Sequence, residues 1–182
     1  MNTPVFSEVF WLRFSKALLA VILGLWALMV AYGNVADYDT NWVYVQEVMS
    51  MASTKDDPEV SWRAATDPAI QRLAYAAITT GEAVAGAMFA IAGILMLLRI
   101  NGPNPQFRAA KTPFAVGLIA SILVWLFGFM VVAGEWFQMW RSLTFNAQQT
   151  AFIFYATMLL SGIYVFQDND GPVESKRRHT LR

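Results

Sequence analysis

One carboxylate, Glu82, interrupts a run of twenty-six residues, Leu73–Leu98, that otherwise carries no charge. A carboxyl group in such a run can relay a proton, bind a cation or anchor a lipid headgroup. In the bland alternative it is a hydrogen-bonding partner, to Ser121, Thr79 or a tyrosine, that fixes helix register. A second set of polar and amphipathic residues, Glu135, Trp136, Trp140 and Arg141, follows another apolar run, and Asn34, Asp37 and Asn41 follow a third. Together with Glu82 they are the candidates for an outward-facing polar site, with Glu135 and Arg141 as a possible ion pair. The bland reading of Glu135 is a solvated carboxylate beside interfacial tryptophans.

The residues that are missing narrow the chemistry further. The chain has no cysteine and a single histidine, His179, near its C-terminus. Thiolate nucleophiles, Cys-ligated zinc and iron–sulfur clusters are excluded, and histidine-based haem, metal or triad chemistry within the apolar segments is not expected. Neither a glycine-rich phosphate loop, a His-Glu-x-x-His nor a Gly-x-Ser-x-Gly occurs. An enzyme is therefore not expected, and neither a resident cofactor nor a metal; a bound lipid is the one ligand the reading allows. The net charge is zero, so no nucleic-acid partner is expected.

The elements that must position these residues are four apolar segments. Ala17–Tyr32, Pro113–Gly134 and Ala147–Phe166 contain no charge at all, and Leu73–Leu98 contains only Glu82. Phe10, Trp11, Leu12 and Phe14 extend the first to membrane length, since about 20 apolar residues cross a bilayer core. The expected fold is all-α: a four-transmembrane-helix bundle with spans about 10–33, 68–99, 112–135 and 146–166. These form one membrane domain over residues 1–172, followed by a basic tail, 173–182. The chain is 57% hydrophobic and 14% charged, which leaves no room for a soluble domain of ordinary size. Arg13 and Lys16 ahead of an apolar run resemble a signal peptide, but the small-x-small cleavage pattern is poor, so an uncleaved first helix is expected.

Nine Lys and Arg residues fall on the side of the termini and the 99–112 connection, and four, Lys55, Arg63, Arg72 and Arg141, fall on the other. This excess predicts cytoplasmic N- and C-termini in a multi-pass protein of a bacterial inner membrane, with the 34–70 and 135–146 connections facing outward. Asp67-Pro68 and Thr112-Pro113 read as helix starts, Asn146 with Gln149 as a capping box, and Gly33-Asn34 as a stop. In Asn41–Ala52, residues Trp42, Val45, Val48, Met49 and Ala52 recur at helical spacing. They predict a short amphipathic helix in the first outer loop, capped by Asp39 or Thr40.

Glu82 lies nine residues from Leu73, about 14 Å along a helix, and therefore in the outer half of the bilayer. A charge there costs about 2.5–3.5 kcal/mol, so the side chain is expected to face protein or water. Ala77, Gly81, Ala85 and Gly86 form a small-residue face around it that allows close helix approach, with Gly117 and Ser121, or Ala27 and Ala31, as its match.

Two loop segments carry a resemblance that covers nearly the whole chain. They are Gly33-Asn34-Val35-Ala36-Asp37-Tyr38-Asp39-Thr40-Asn41, continuing to Trp62-Arg63-Ala64, and Gly134-Glu135-Trp136-Phe137-Gln138-Met139-Trp140-Arg141-Ser142 with Asn146. In these the sequence resembles an uncharacterised family of predicted small bacterial integral membrane proteins. The resemblance implies four spans and an emphasis on the outward connections, and it supplies no substrate. The functional expectation is an accessory or scaffolding subunit of a membrane complex, a respiratory one included. Its partners would be the bilayer and either other membrane subunits or further copies of itself. The alternative is a small transporter or proton- or cation-conducting protein that uses Glu82.

Overall fold

The computed structural model describes residues 7–54 and 57–171. The basic tail 173–182, with His179, lies outside them. Among the described residues the chain is all-helical, and four helices are long and apolar enough to cross a membrane.

Helix α1 (Glu8–Ala36) begins at Ser7, whose hydroxyl accepts from Phe10 N at 3.2 Å. It runs through Gly33-Asn34, where a stop is expected from sequence. The chain turns at Asp37 instead, whose N–H donates to Gly33 O at 2.9 Å. Gly33 keeps a negative φ and so stays within the helix. Helix α2 (Tyr38–Met49) is the expected amphipathic helix, three residues earlier than its apolar pattern suggests and without a side-chain cap from Asp39 or Thr40.

Helix α3 (Pro68–Leu98) opens as expected, with the Asp67 carboxylate accepting from Ala69 N at 2.8 Å ahead of a proline in the first turn. After the short α4 (Asn104–Ala109), α5 (Thr112–Ser121) starts differently from its sequence pattern. Thr112 is already helical and the cap position is Lys111, whose side chain turns into the bundle. From Ile122 to Trp136 the helix continues with the wider i→i+5 bonding of a π-helix, which ends with Phe137 N donating to Val132 O. Helix α6 (Gln148–Phe166) is preceded by Asn146, whose side chain accepts from Gln148 N at 3.0 Å; the expected capping box to Gln149 is not made.

Around the bundle the order is α1, α3, α5 with its π segment, then α6. The α1–α3 seam is the tightest. A Cβ on Gly24 would lie 2.6 Å from Ala90 N, one on Gly86 2.7 Å from Leu28 N, and one on Gly93 2.8 Å from Val21 N. On the other side of α3, Gly117 of α5 lies against Phe89 and the Ala85 carbonyl. The small-residue face is thus two faces: Gly86 and Gly93 meet α1, while Gly81 and Ala85 meet the third span. Ala77 joins neither and is exposed.

Aromatic stacking fills the interior between the other helices. Phe154 of α6 lies between Trp26, centroids 4.3 Å apart, and Trp125, 4.7 Å apart. A second, smaller apolar core caps the loop end: Val48, Met51, Phe137 and Met139 are buried, and Tyr44 meets Phe145 edge-on. Met51 and Gln138 in this cap have positive φ, 53° and 52°, a conformation that non-glycine residues adopt at some cost.

Candidate functional site

The bundle holds one buried polar cluster near each end. At the end capped by the loops, Glu82 is 2% exposed, although it sits in a helix built to face lipid. Its carboxylate accepts from Asn34 Nδ2 at 2.6 Å. Asn34 is itself tied down, because Tyr75, two turns before Glu82 on α3, donates its hydroxyl to the Asn34 carbonyl at 2.6 Å. Tyr38 and Trp42 of α2 pack on the Tyr75 ring, at 5.0 and 6.1 Å between centroids. A single acid is thereby held between α1, α3 and the loop helix. Thr79 Oγ1, almost one turn before Glu82, is buried with no partner among the described residues.

The partner of Glu82 differs from each one expected. Ser121 turns its hydroxyl to the Gly117 carbonyl of its own helix at 2.8 Å, and the tyrosine reaches Asn34 rather than the acid. Asn34 gives little signal as a partner, since in the sequence it stands beside a glycine as if in a turn. It reaches Glu82 only because α1 continues one turn further. Asp37 and Asn41 then find a common role. Asn41 Nδ2 donates to the Asp37 carbonyl at 2.9 Å and closes the α1–α2 corner above the acid.

The Glu135 group is dispersed. Glu135 is exposed at the end of the π segment, and Arg141 pairs with Asp57 at 2.8 Å and with Gln138 at 2.9 Å instead. The hydrogen bond from the Arg141 guanidinium holds the Asp57 carboxyl below its ordinary range. Trp136 meets Trp62 edge-on at 5.7 Å, with the Arg63 guanidinium 5.6 Å from both rings. Trp140 is half-exposed beside Arg141. These residues build the surface of the loop cap, and they do not form a site with Glu82.

The cluster at the opposite end is absent from the sequence reading. Arg13, Lys16 and Lys111, which sequence assigns to orientation alone, are 2%, 0% and 4% exposed and surround Asp170, 1% exposed. Lys16 Nζ donates to Asp170 Oδ1 at 2.7 Å, to Asn169 Oδ1 at 2.6 Å and to the Gln167 carbonyl at 2.9 Å. Lys111 pairs with the other carboxylate oxygen. Among the described residues Arg13 donates only to carbonyls, those of Asp170, Ile100 and Gly102, each at 2.8 Å, and its guanidinium lies over the Phe107 ring. Those carbonyls follow the C-termini of α3 and α6, where helix dipoles favour cations. The available signal was Arg13 and Lys16 three residues apart on one helix face, with an Asp-Asn-Asp run just after the last span. A charge count alone does not reveal their burial.

No group of three or more His, Cys, Asp or Glu residues able to hold a metal occurs among the described residues. Chemically, both clusters join elements that are distant in sequence, and neither presents a nucleophile beside a base. Neither a curated protein nor a solved structure matches the chain. The model of a family described as predicted small integral membrane proteins (DUF2165) matches residues 12–168, which takes in most of the first long helix, the other three whole and both loop segments, and the chain belongs to that family.

Proposed function

We propose that this chain is an accessory or scaffolding subunit of a membrane complex, with a respiratory complex of a bacterial inner membrane as the leading setting and both termini cytoplasmic. The observation that carries this reading is the tying of the bundle at both ends by buried polar contacts. Glu82–Asn34–Tyr75 holds α1, α3 and α2 together, and Asp170 with Lys16 and Lys111 ties α1 and the start of α5 to the segment after α6. Between them the interior is filled by Trp26, Phe154, Trp125, Phe89 and Phe114. Such a bundle resists the rocking that alternating access requires and offers its surfaces instead. The loop cap adds Trp62, Trp136, Trp140 and the fully exposed Leu143 to those surfaces. The role is non-enzymatic and needs no resident cofactor.

A second reading, conduction of a proton or small cation through Glu82, is favoured by one observation: a buried acid with a single side-chain donor near the unpartnered Thr79 hydroxyl. Glu82→Gln separates the two. The subunit reading expects an affinity-tagged chain, extracted in mild detergent, to bring down other membrane subunits in fixed ratio whether or not it carries the substitution. Recovery of the chain alone, together with a proteoliposome proton flux that Glu82→Gln abolishes, would replace it with the conduction reading.

A further inference from the structure

The Asp170 cluster contains more positive charge than its structural role needs. Two lysines share one carboxylate, and among the described residues the third basic side chain, Arg13, hydrogen-bonds only to neutral carbonyls. A buried cation without an anion is unfavourable. Lys16 and Lys111 already tie Asp170 to α1 and to the start of α5, while Arg13 adds a tie to the 100–102 connection that brings a charge but no anion. The cations and the acid also differ in how they are held. Arg13 and Lys16 stand on α1, and Lys111 at the cap position of α5. Asp170 hangs from a non-helical segment beyond α6, and its preceding neighbours Gln167, Asp168 and Asn169 are all exposed. It enters from outside the packed helices, together with the Asn169 side chain and the Gln167 and Asp170 carbonyls.

We infer that Arg13, Lys16 and Lys111 form a binding site for a phosphate group, which Asp170 fills in its absence. The oxygens of a phosphate, two of them non-bridging in a lipid phosphodiester and four in the free ion, are directed tetrahedrally, so they can serve both ammonium groups and the guanidinium together. The site sits where the first span begins and the fourth ends, at the level of lipid headgroups. Basic pockets between spans at that level bind the phosphates of anionic lipids. Free phosphate has the same chemistry. Binding would displace Asp170 and, with it, the Asn169 and Gln167 contacts of Lys16, so that of these contacts the exposed Asp168–Arg108 pair would be left to hold the segment that follows α6.

The absence of cysteine allows a single reporter to be placed on that segment. Gln167→Cys substitutes an exposed side chain whose backbone carbonyl, not its amide, contacts Lys16. A nitroxide at this position is expected to be restricted in phosphatidylcholine discs. It should become mobile in discs of equal parts phosphatidylcholine and phosphatidylglycerol, or on titration with inorganic phosphate. A response to the lipid alone identifies a headgroup site, and a response to inorganic phosphate identifies a free-anion site. Lys111→Gln should raise the anion concentration at half-response about tenfold, the loss of one charge-assisted hydrogen bond. An immobile label under both anions overturns the site, as does a response that Lys111→Gln leaves unchanged. Should the label itself disturb the segment, native mass spectrometry of the unlabelled chain from the same discs gives an independent reading. Retention of phosphatidylglycerol or phosphate, reduced in Lys111→Gln, supports the site, and retention of neither overturns it.

Discussion

Glu82 and Asp170 are both buried acids, yet their environments predict opposite responses to removing the charge. Glu82 has an amide donor and no cation, so a neutral acceptor serves equally well: Glu82→Gln keeps an oxygen for Asn34 Nδ2 and should change unfolding free energy by less than about 1 kcal/mol. Asn34→Ala removes the donor and leaves the acid buried, at about 1–3 kcal/mol. Unfolding of the two variants in mixed micelles checks this; a larger loss for Glu82→Gln than for Asn34→Ala would show that the charge itself matters. Asp170 balances cations, so Asp170→Asn in phosphate-free buffer and zwitterionic lipid should lose about 3–5 kcal/mol, the effect of stranding buried charges. The same unfolding measurement reads it, and a loss under 1 kcal/mol would mean that the carbonyls around Arg13 and Lys16 carry the compensation. Of these buried charged residues only Glu82 stands out in the sequence, because an acid in an apolar run contradicts its surroundings. Lysines and an arginine at the end of a span agree with theirs, and so their burial goes unannounced.

At the scale of elements, hydropathy finds the four long apolar helices, because the length and apolarity of a membrane helix are set by the bilayer rather than by neighbours. Which faces meet is less legible. The alanines and glycines of α3 recur so densely that several faces satisfy a small-xxx-small pattern, and only packing selects Gly86 and Gly93 for α1 and leaves Ala77 exposed. The π segment is invisible for a related reason: its run of Val, Leu, Phe and Met is apolar all round and carries no period to read. The glycines of α1 give the test of this packing. Gly24→Val pushes a branched side chain onto the Ala90 backbone and should destabilise by about 1–3 kcal/mol or separate α1 from α3. Gly33→Ala, in the same helix, meets nothing within 4 Å and should stabilise by about 0.5–1 kcal/mol through higher helix propensity. Equal effects of opposite expectation, measured by the same unfolding assay, would mean that the α1–α3 seam is looser than its contacts.

The molecule as a whole is a membrane bundle with a small folded cap over one end, and the cap is where sequence says least. Its core joins Val48 and Met51 to Phe137 and Met139 across nearly ninety residues, and two of its turns use left-handed Met51 and Gln138, residue types that announce no turn. Among the described residues the Asp57–Arg141 pair is the charged tie across this cap, joining the connection between α2 and α3 to the one before α6. Arg141 lowers the Asp57 carboxyl below its unfolded value, so the pair contributes fully above about pH 4, the range of a free aspartate, and its contribution disappears as pH falls through the lower, folded value. Both groups are substantially exposed, so the effect is small and salt-sensitive. Amide-exchange protection at residues 57–61 and 139–142 is therefore expected to hold steady from pH 7 to about pH 5 and to weaken below about pH 4. The Arg141→Gln chain should start with weaker protection there and show a flatter acid response, while the protection of α3 stays the same in both. Matching profiles in the two chains would assign the cap's cohesion to its apolar core alone and would leave the ion pair as a surface contact.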